Sequence, residues 1–154
     1  KTIVRITADC PLSDPRLIDK MIKYFKKNSF EYVSNTTPNT KSTFPDGSDV
    51  EIFTFKALSK ANLVVKNKND REHVTHFFWK NKKINSKRIN FKKNLSNFRY
   101  TIDYKEDYKV ISFIIRKLIK KKPLASYYDI VKFMKKNFLV IKKFRPKNLR
   151  RNHT

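Results

Sequence analysis

Two aspartates stand where the sequence places chemistry. Asp9 follows Thr2-Ile-Val-Arg-Ile-Thr-Ala8, a β-branched run that reads as a buried strand. Asp103 closes Tyr100-Thr-Ile102 in the same manner. In open α/β sheets ligands bind at the carboxyl ends of strands, so neighbouring strands would turn both carboxylates into one crevice. Close carboxylates repel unless a proton or cation lies between them, and Mg²⁺ with substrate phosphates is the usual solution. The plainer role is structural, with Asp9 capping a turn and Asp103 capping the helix that follows.

Phe44-Pro-Asp-Gly-Ser-Asp-Val-Glu51 is the second constellation. Pro45-Asp46-Gly47 reads as a turn in which the chain's single glycine supplies positive φ. Asp49 and Glu51 then share one face of the next strand. By pattern this is a β-turn with two solvated acids, and the sharper reading is a loop that grips a substrate. In Asp70-Arg-Glu-His-Val-Thr-His76 the two histidines stand three apart, which is not the HExxH spacing, and a third zinc ligand is not apparent. An ion-paired helix start suits Asp70 and Glu72 better. Cys10 has no base partner in sequence and reads as a small buried residue; as the single cysteine it excludes an internal disulfide and fits a reducing cytoplasm. With one glycine, neither a Walker nor a dinucleotide-binding loop can be built.

These residues need elements to hold them. Asp14-Pro15 reads as N-cap and first residue of a helix whose apolar face is Leu17, Ile18, Met21, Ile22 and Phe25. Tyr32 to Ser34 and Val50 to Phe55 read as strands, separated by a polar connection from Asn35 to Ser48. Lys56 to Val65 reads as a helix, and Asp70 as the cap of another running to Trp79. Arg88 to Lys92 and Phe98 to Ile102 are strand-like; Glu106 to Ile119 and Tyr128 to Phe138 are amphipathic helices. Strands alternating with helices predict an α/β layered architecture.

The chain has 154 residues with 37 Lys+Arg against 13 Asp+Glu, net +24. Residues 1–79 hold thirteen basic and nine acidic groups, whereas residues 116–154 hold fourteen basic groups and only Asp129. A chain this basic raises a nucleic-acid-binding module as an alternative, with Phe77-Phe78-Trp79 beside Lys80, Lys82 and Lys83 as a stacking platform. No RRM, KH or zinc-knuckle signature accompanies it, and the aromatics read better as core. Lys outnumbers Arg by 28 to 9, which fits compositional drift more than deliberate phosphate recognition. At 14% aromatic residues the chain is predicted to build a packed core, and no uncharged apolar run is long enough to cross a bilayer.

Val4-Arg-Ile-Thr-Ala-Asp-Cys-Pro-Leu12, Tyr32-Val-Ser-Asn-Thr36, the Phe44–Glu51 run, Arg71-Glu-His-Val-Thr75 and Tyr100-Thr-Ile-Asp103 with Glu106-Asp107 occur in a specific order. It resembles that of cytidylyltransferases of the spore coat polysaccharide biosynthesis protein F type, relatives of the acylneuraminate and 3-deoxy-manno-octulosonate cytidylyltransferases. The likeness spans about residues 2 to 138. It implies a nucleotide-diphospho-sugar-transferase-like (Rossmann-like) three-layer α/β sandwich with a mixed sheet. It also implies attack of a sugar hydroxyl on the α-phosphorus of CTP, giving a CMP-sugar and pyrophosphate in surface polysaccharide biosynthesis. Asp9 and Asp103 match the Mg²⁺-binding, catalytic aspartates; Asp46, Asp49, Glu51, Arg71, Glu72 and His73 match positions lining or buttressing the sugar side. By analogy, a cytoplasmic enzyme and a homodimer are expected.

Two departures qualify the likeness. The family's A-R-x-x-S-x-R-L-P-G-K loop, which holds CTP, has no counterpart here. Residues 1–140 therefore read as the C-terminal part of one catalytic domain, inactive alone, and residues 141–154 as a basic frayed tail; an inactive truncated remnant is the further alternative. After Asp103 the family's Thr-Pro is replaced by Tyr104-Lys105, which predicts a weakened helix start.

Overall fold

The computed structural model of the chain describes residues 1–38 and 42–144. Four short strands, β1 (Thr2–Arg5), β2 (Tyr32–Ser34), β3 (Glu51–Thr54) and β4 (Ser86–Arg88), form one sheet in the order β1-β3-β2-β4. β3 runs antiparallel to both β1 and β2, and β4 runs parallel to β2, so the sheet is mixed.

Strand parity divides the core. Tyr32 pairs with Phe53 and Val33 with Ile52. Successive residues point to opposite faces, so Val33 and Ile52 meet Leu17, Met21 and Phe25 of helix α1 (Pro15–Lys27). Tyr32 and Phe53 meet Ala57 and Ala61 of α2 (Phe55–Val64) and Phe78 of α4 (His76–Lys80). The result is the α/β layered architecture that the alternation of elements predicts, with the three layers that the family resemblance implies. A third cluster joins Leu12 and Tyr100 to α5 (Lys105–Ile114), α6 (Tyr127–Lys136) and α7 (Phe138–Phe144). α1 begins as expected: the Asp14 carboxylate accepts from Arg16 N (2.9 Å), and also from Tyr127 N (3.1 Å), tying α1 to α6. Among the described residues no helix is long and apolar enough to cross a membrane.

Several elements differ from the sequence reading. β1 is the edge of the sheet and half-exposed rather than buried, and Asp9 sits in a turn beyond Ile6 and Thr7 instead of at the strand end. Phe98 to Ile102 is extended but joins no strand of the sheet; a bridge between Asp46 and Arg99 is its ladder contact. The single helix expected from Asp70 to Trp79 is two, α3 (Lys68–Glu72) and α4, because Val74 takes φ 48° between them. Asn67, not Asp70, caps α3. The start of α5 is not weakened, since the buried Asp107 carboxylate accepts from Asp103 N (3.1 Å) and Tyr104 N (3.2 Å). An acid inside the first turn does the work of the missing cap. α5 passes into a π-helical turn over Ile115–Ile119. Of the expected tail, residues 141–144 belong to α7, where Ile141 is buried, and residues 145–154 lie outside the described residues.

Candidate functional site

A cavity of about 600 Å³ opens beside the sheet, and five of the chain's thirteen carboxylates line it: Asp9, Asp46, Asp49, Glu51 and Asp103. They are brought there by three segments. The turn after β1 carries Asp9, the Pro45–Gly47 turn and β3 carry Asp46, Asp49 and Glu51, and the extended 98–103 segment carries Asp103.

Hydrogen bonds lock these segments together. Asp9 O accepts from Ile102 N (2.9 Å) and from Thr101 Oγ1 (3.0 Å), which docks the turn on the segment leading to Asp103. Thr101 Oγ1 also lies 3.3 Å from Asp9 Oδ2, while Asp9 Oδ1 is buried and has no hydrogen-bond partner among the described residues. Gly47 lets the second segment approach. At φ 100° it is in the left-handed region, and a Cβ there would lie 2.7 Å from Thr101 N and Tyr100 C. Tyr100 N then donates to Asp46 O (2.9 Å).

Arg99 is the cation at the centre. Its guanidinium, 10% exposed, bonds Asp46 through Nε (3.1 Å), Asp107 through Nη1 (2.5 Å) and Asp103 through Nη2. Burial pulls the guanidinium down, but Asp107, Asp46 and Asp103 outweigh it and hold Arg99 above its ordinary pKa. Sequence reasoning did not single out Arg99. The available signal was spacing: Arg99, Thr101 and Asp103 alternate, so an extended backbone puts all three on one side.

The remaining acids are differently engaged. Asp49 accepts from Thr36 Oγ1 (2.5 Å), Gly47 N (2.9 Å) and Cys10 Sγ (3.5 Å), and burial raises its pKa. Glu51 pairs with Arg5 (2.5 Å) and accepts from Tyr32 OH (2.5 Å). Burial, with Glu51 adding to it, holds the Tyr32 phenol protonated. Asn35 reaches across to Ser48 O and Val50 N, both at 2.8 Å, and fixes the entry to β3. Cys10 is buried as expected; burial and then Asp49 push its thiol up to about 12, so it remains a protonated thiol.

The opposite wall comes from α3 and α4. His73 lines the cavity and stacks on His76 with ring centroids 4.4 Å apart. His76 Nδ1 lies 3.2 Å from Asp70 Oδ1, and burial nevertheless holds its pKa below the ordinary value. Arg71 and Glu72 are not brought to the cavity. Arg71 turns to Val65 O (3.1 Å) and Asn62 Oδ1 (3.0 Å) at the end of α2, and Glu72 is exposed. Of the aromatic run, Phe78 is fully buried between Tyr32 and Phe53, which removes it as a stacking platform. Among the described residues no three His, Cys, Asp or Glu gather as a metal set.

The family profile for cytidylyltransferases matches residues 1–144. The chain belongs to the cytidylyltransferase family. A solved cytidylyltransferase from Leptospira borgpetersenii serovar Hardjo-bovis (strain JB197) is similar with a TM-score of 0.82 and 32% identity, over 91% of this chain and 58% of its own. An uncharacterised protein of Methanocaldococcus jannaschii, MJ1063, is 48% identical over 79 residues, 51% of this chain and 30% of its own. The chain thus spans less than two-thirds of the length of either relative. The mixed α/β sheet and the ordered motifs both agree with that membership.

Proposed function

We propose that the chain supplies the metal- and sugar-binding side of an enzyme that transfers CMP from CTP to a sugar hydroxyl and releases pyrophosphate. The observation that carries this reading is Asp9 Oδ1, buried and unpartnered in a carboxylate-lined cavity of a cytidylyltransferase-family chain. A buried carboxylate oxygen without a donor is costly unless a cation or donor reaches it. The predominance of carboxylates in the cavity, with Asp103 carried by the segment bonded to Asp9, suits a hard divalent ion better than zinc. Asp9 and Asp103 would hold Mg²⁺, which when bound offsets charge on the phosphate oxygens of CTP.

The chain's own residues prepare that site. Thr101 fixes one oxygen of Asp9 and leaves the other; Arg99 engages one side of Asp103 and so sets the orientation of its carboxylate. Asp46, Asp49 and Glu51 act from the floor on the sugar side, and His73 from the wall. Arg71 serves as a positioning residue, clamping α3 to the end of α2; Glu72, exposed and outside the cavity lining, has no part in it. Surface polysaccharide biosynthesis, a cytoplasmic setting and a homodimer complete the reading, and the remaining part of the enzyme contributes the CTP-holding loop.

The test is CTP-dependent pyrophosphate release with a panel of sugars, in protein provided with that loop. Activity should require Mg²⁺ and fall about a hundred- to a thousandfold in Asp9→Ala. Unchanged activity in that variant contradicts the metal assignment.

A further inference from the structure

The cavity's α4 wall carries a second unsatisfied group. Trp79 packs against the cluster of Tyr32, Phe53 and Phe78 and is also among the residues lining the cavity. Its Nε1 is buried without a hydrogen-bond partner among the described residues. Buried indole N–H groups ordinarily find an acceptor. The floor of the same cavity holds an atom in the same condition and of opposite sense, Asp9 Oδ1. A residue whose donor lacks an acceptor and a residue whose acceptor lacks a donor thus line one cavity.

The surroundings of Trp79 limit what can serve it. His76 meets the indole edge-on at 5.4 Å, and Lys80 Nζ lies over the ring, 5.5 Å from its centroid. Lys80 is itself held by Asp70 at 3.1 Å. With Lys80 Nζ over the ring, the unpartnered N–H rather than a face open to a nucleobase is what a ligand of this wall has to satisfy. Hydroxyl groups both donate and accept, so a polyhydroxylated ligand matches a donor wall set against a carboxylate floor.

We propose that Trp79 is a specificity-determining residue for the sugar substrate, its indole N–H donating to an oxygen of a pyranose seated between the α4 wall and the carboxylate floor. This rests on the cytidylyltransferase reading above and names a residue that reading does not use. The acceptor is a hydroxyl, a ring oxygen or a sugar carboxylate, chemistries that a neutral and an acidic pyranose separate.

Calorimetric titration of glucose, glucuronate, CMP and Mg²⁺ into the purified protein and its Trp79→Phe variant tests it. Phe keeps an aromatic ring and removes only the N–H. Pyranose binding should weaken about three- to tenfold in the variant, with CMP and Mg²⁺ affinities unchanged. A larger loss for glucuronate than for glucose assigns the carboxylate as acceptor; equal losses assign a hydroxyl or ring oxygen. Equal pyranose affinity in both proteins overturns the proposal, as does a loss confined to CMP. So does the absence of pyranose binding while Mg²⁺ still binds through Asp9, a result that leaves the underlying site intact. Absence of Mg²⁺ binding as well removes both. Should Trp79→Phe not fold, emission of Trp79, the single tryptophan, decides in the unaltered protein: a saturable change with pyranose is expected, and flat emission overturns the assignment.

Discussion

At the scale of single residues, the carboxylates divide by what they already hold. Asp49 and Glu51 have their oxygens engaged by protein donors, whereas Asp9 keeps one oxygen unpaired. Replacing Asp9 by Asn should therefore leave thermal stability within a few degrees of the original, because no ion pair is lost. Divalent-cation affinity should drop at least about tenfold. Gly47 is the opposite case. Gly47→Ala places a Cβ against Thr101 N and Tyr100 C at positive φ, and should cost roughly 2–4 kcal/mol in a denaturant titration. Composition already marked this site, since a chain's one glycine beside Pro-Asp points to a turn that needs it. Arg99 was not legible in the same way. Its importance comes from burial among Asp103 and Asp107, which follow it closely in sequence, and Asp46, which a distant segment brings in.

At the scale of elements, carboxylates inside first turns fix the starts of α5 and α6. Asp107 caps α5 and pairs with Arg99 while 1% exposed, so Asp107→Ala should destabilise the protein by about 3 kcal/mol. Asp129 accepts from Ser126 at the start of α6, with Lys122 beside it. Lys122 and then Ser126 N–H lower its pKa to about 2 from 3.8. Its stabilisation is therefore complete above the unfolded value and lost as pH falls from 3.8 through 2. Thermal melts across that acid window should show a step that Asp129→Asn removes. The α1 cap at Asp14-Pro15 and the apolar faces of α1, α5 and α6 were readable from spacing. The break between α3 and α4 was not: Glu72-His-Val-Thr75 contains neither Gly nor Pro, and Val74 adopts its φ of 48° under tertiary constraint. The 98–102 segment misled for a related reason. Its alternation is that of a strand, but tertiary hydrogen bonds to Asp9 and Asp46 replace a ladder.

At the scale of the molecule, a chain of net +24 encloses a cavity lined by five carboxylates. The charge describes the surface, and the site has the opposite sign. A positive surface draws anionic ligands toward the molecule, an effect that salt screens. In protein provided with the CTP-holding loop, the proposed association of CTP should therefore slow several-fold between about 50 and 200 mM salt, whereas the metal step depends on the local carboxylates. The measurement that bears most directly on this site is a Mg²⁺ titration followed by Trp79 emission, since that single tryptophan lines the cavity. A saturable change in the unaltered protein, weakened at least about tenfold in both Asp9→Asn and Asp103→Asn, is the predicted result. Binding of equal strength in all three proteins would contradict the assignment of the two aspartates to the metal.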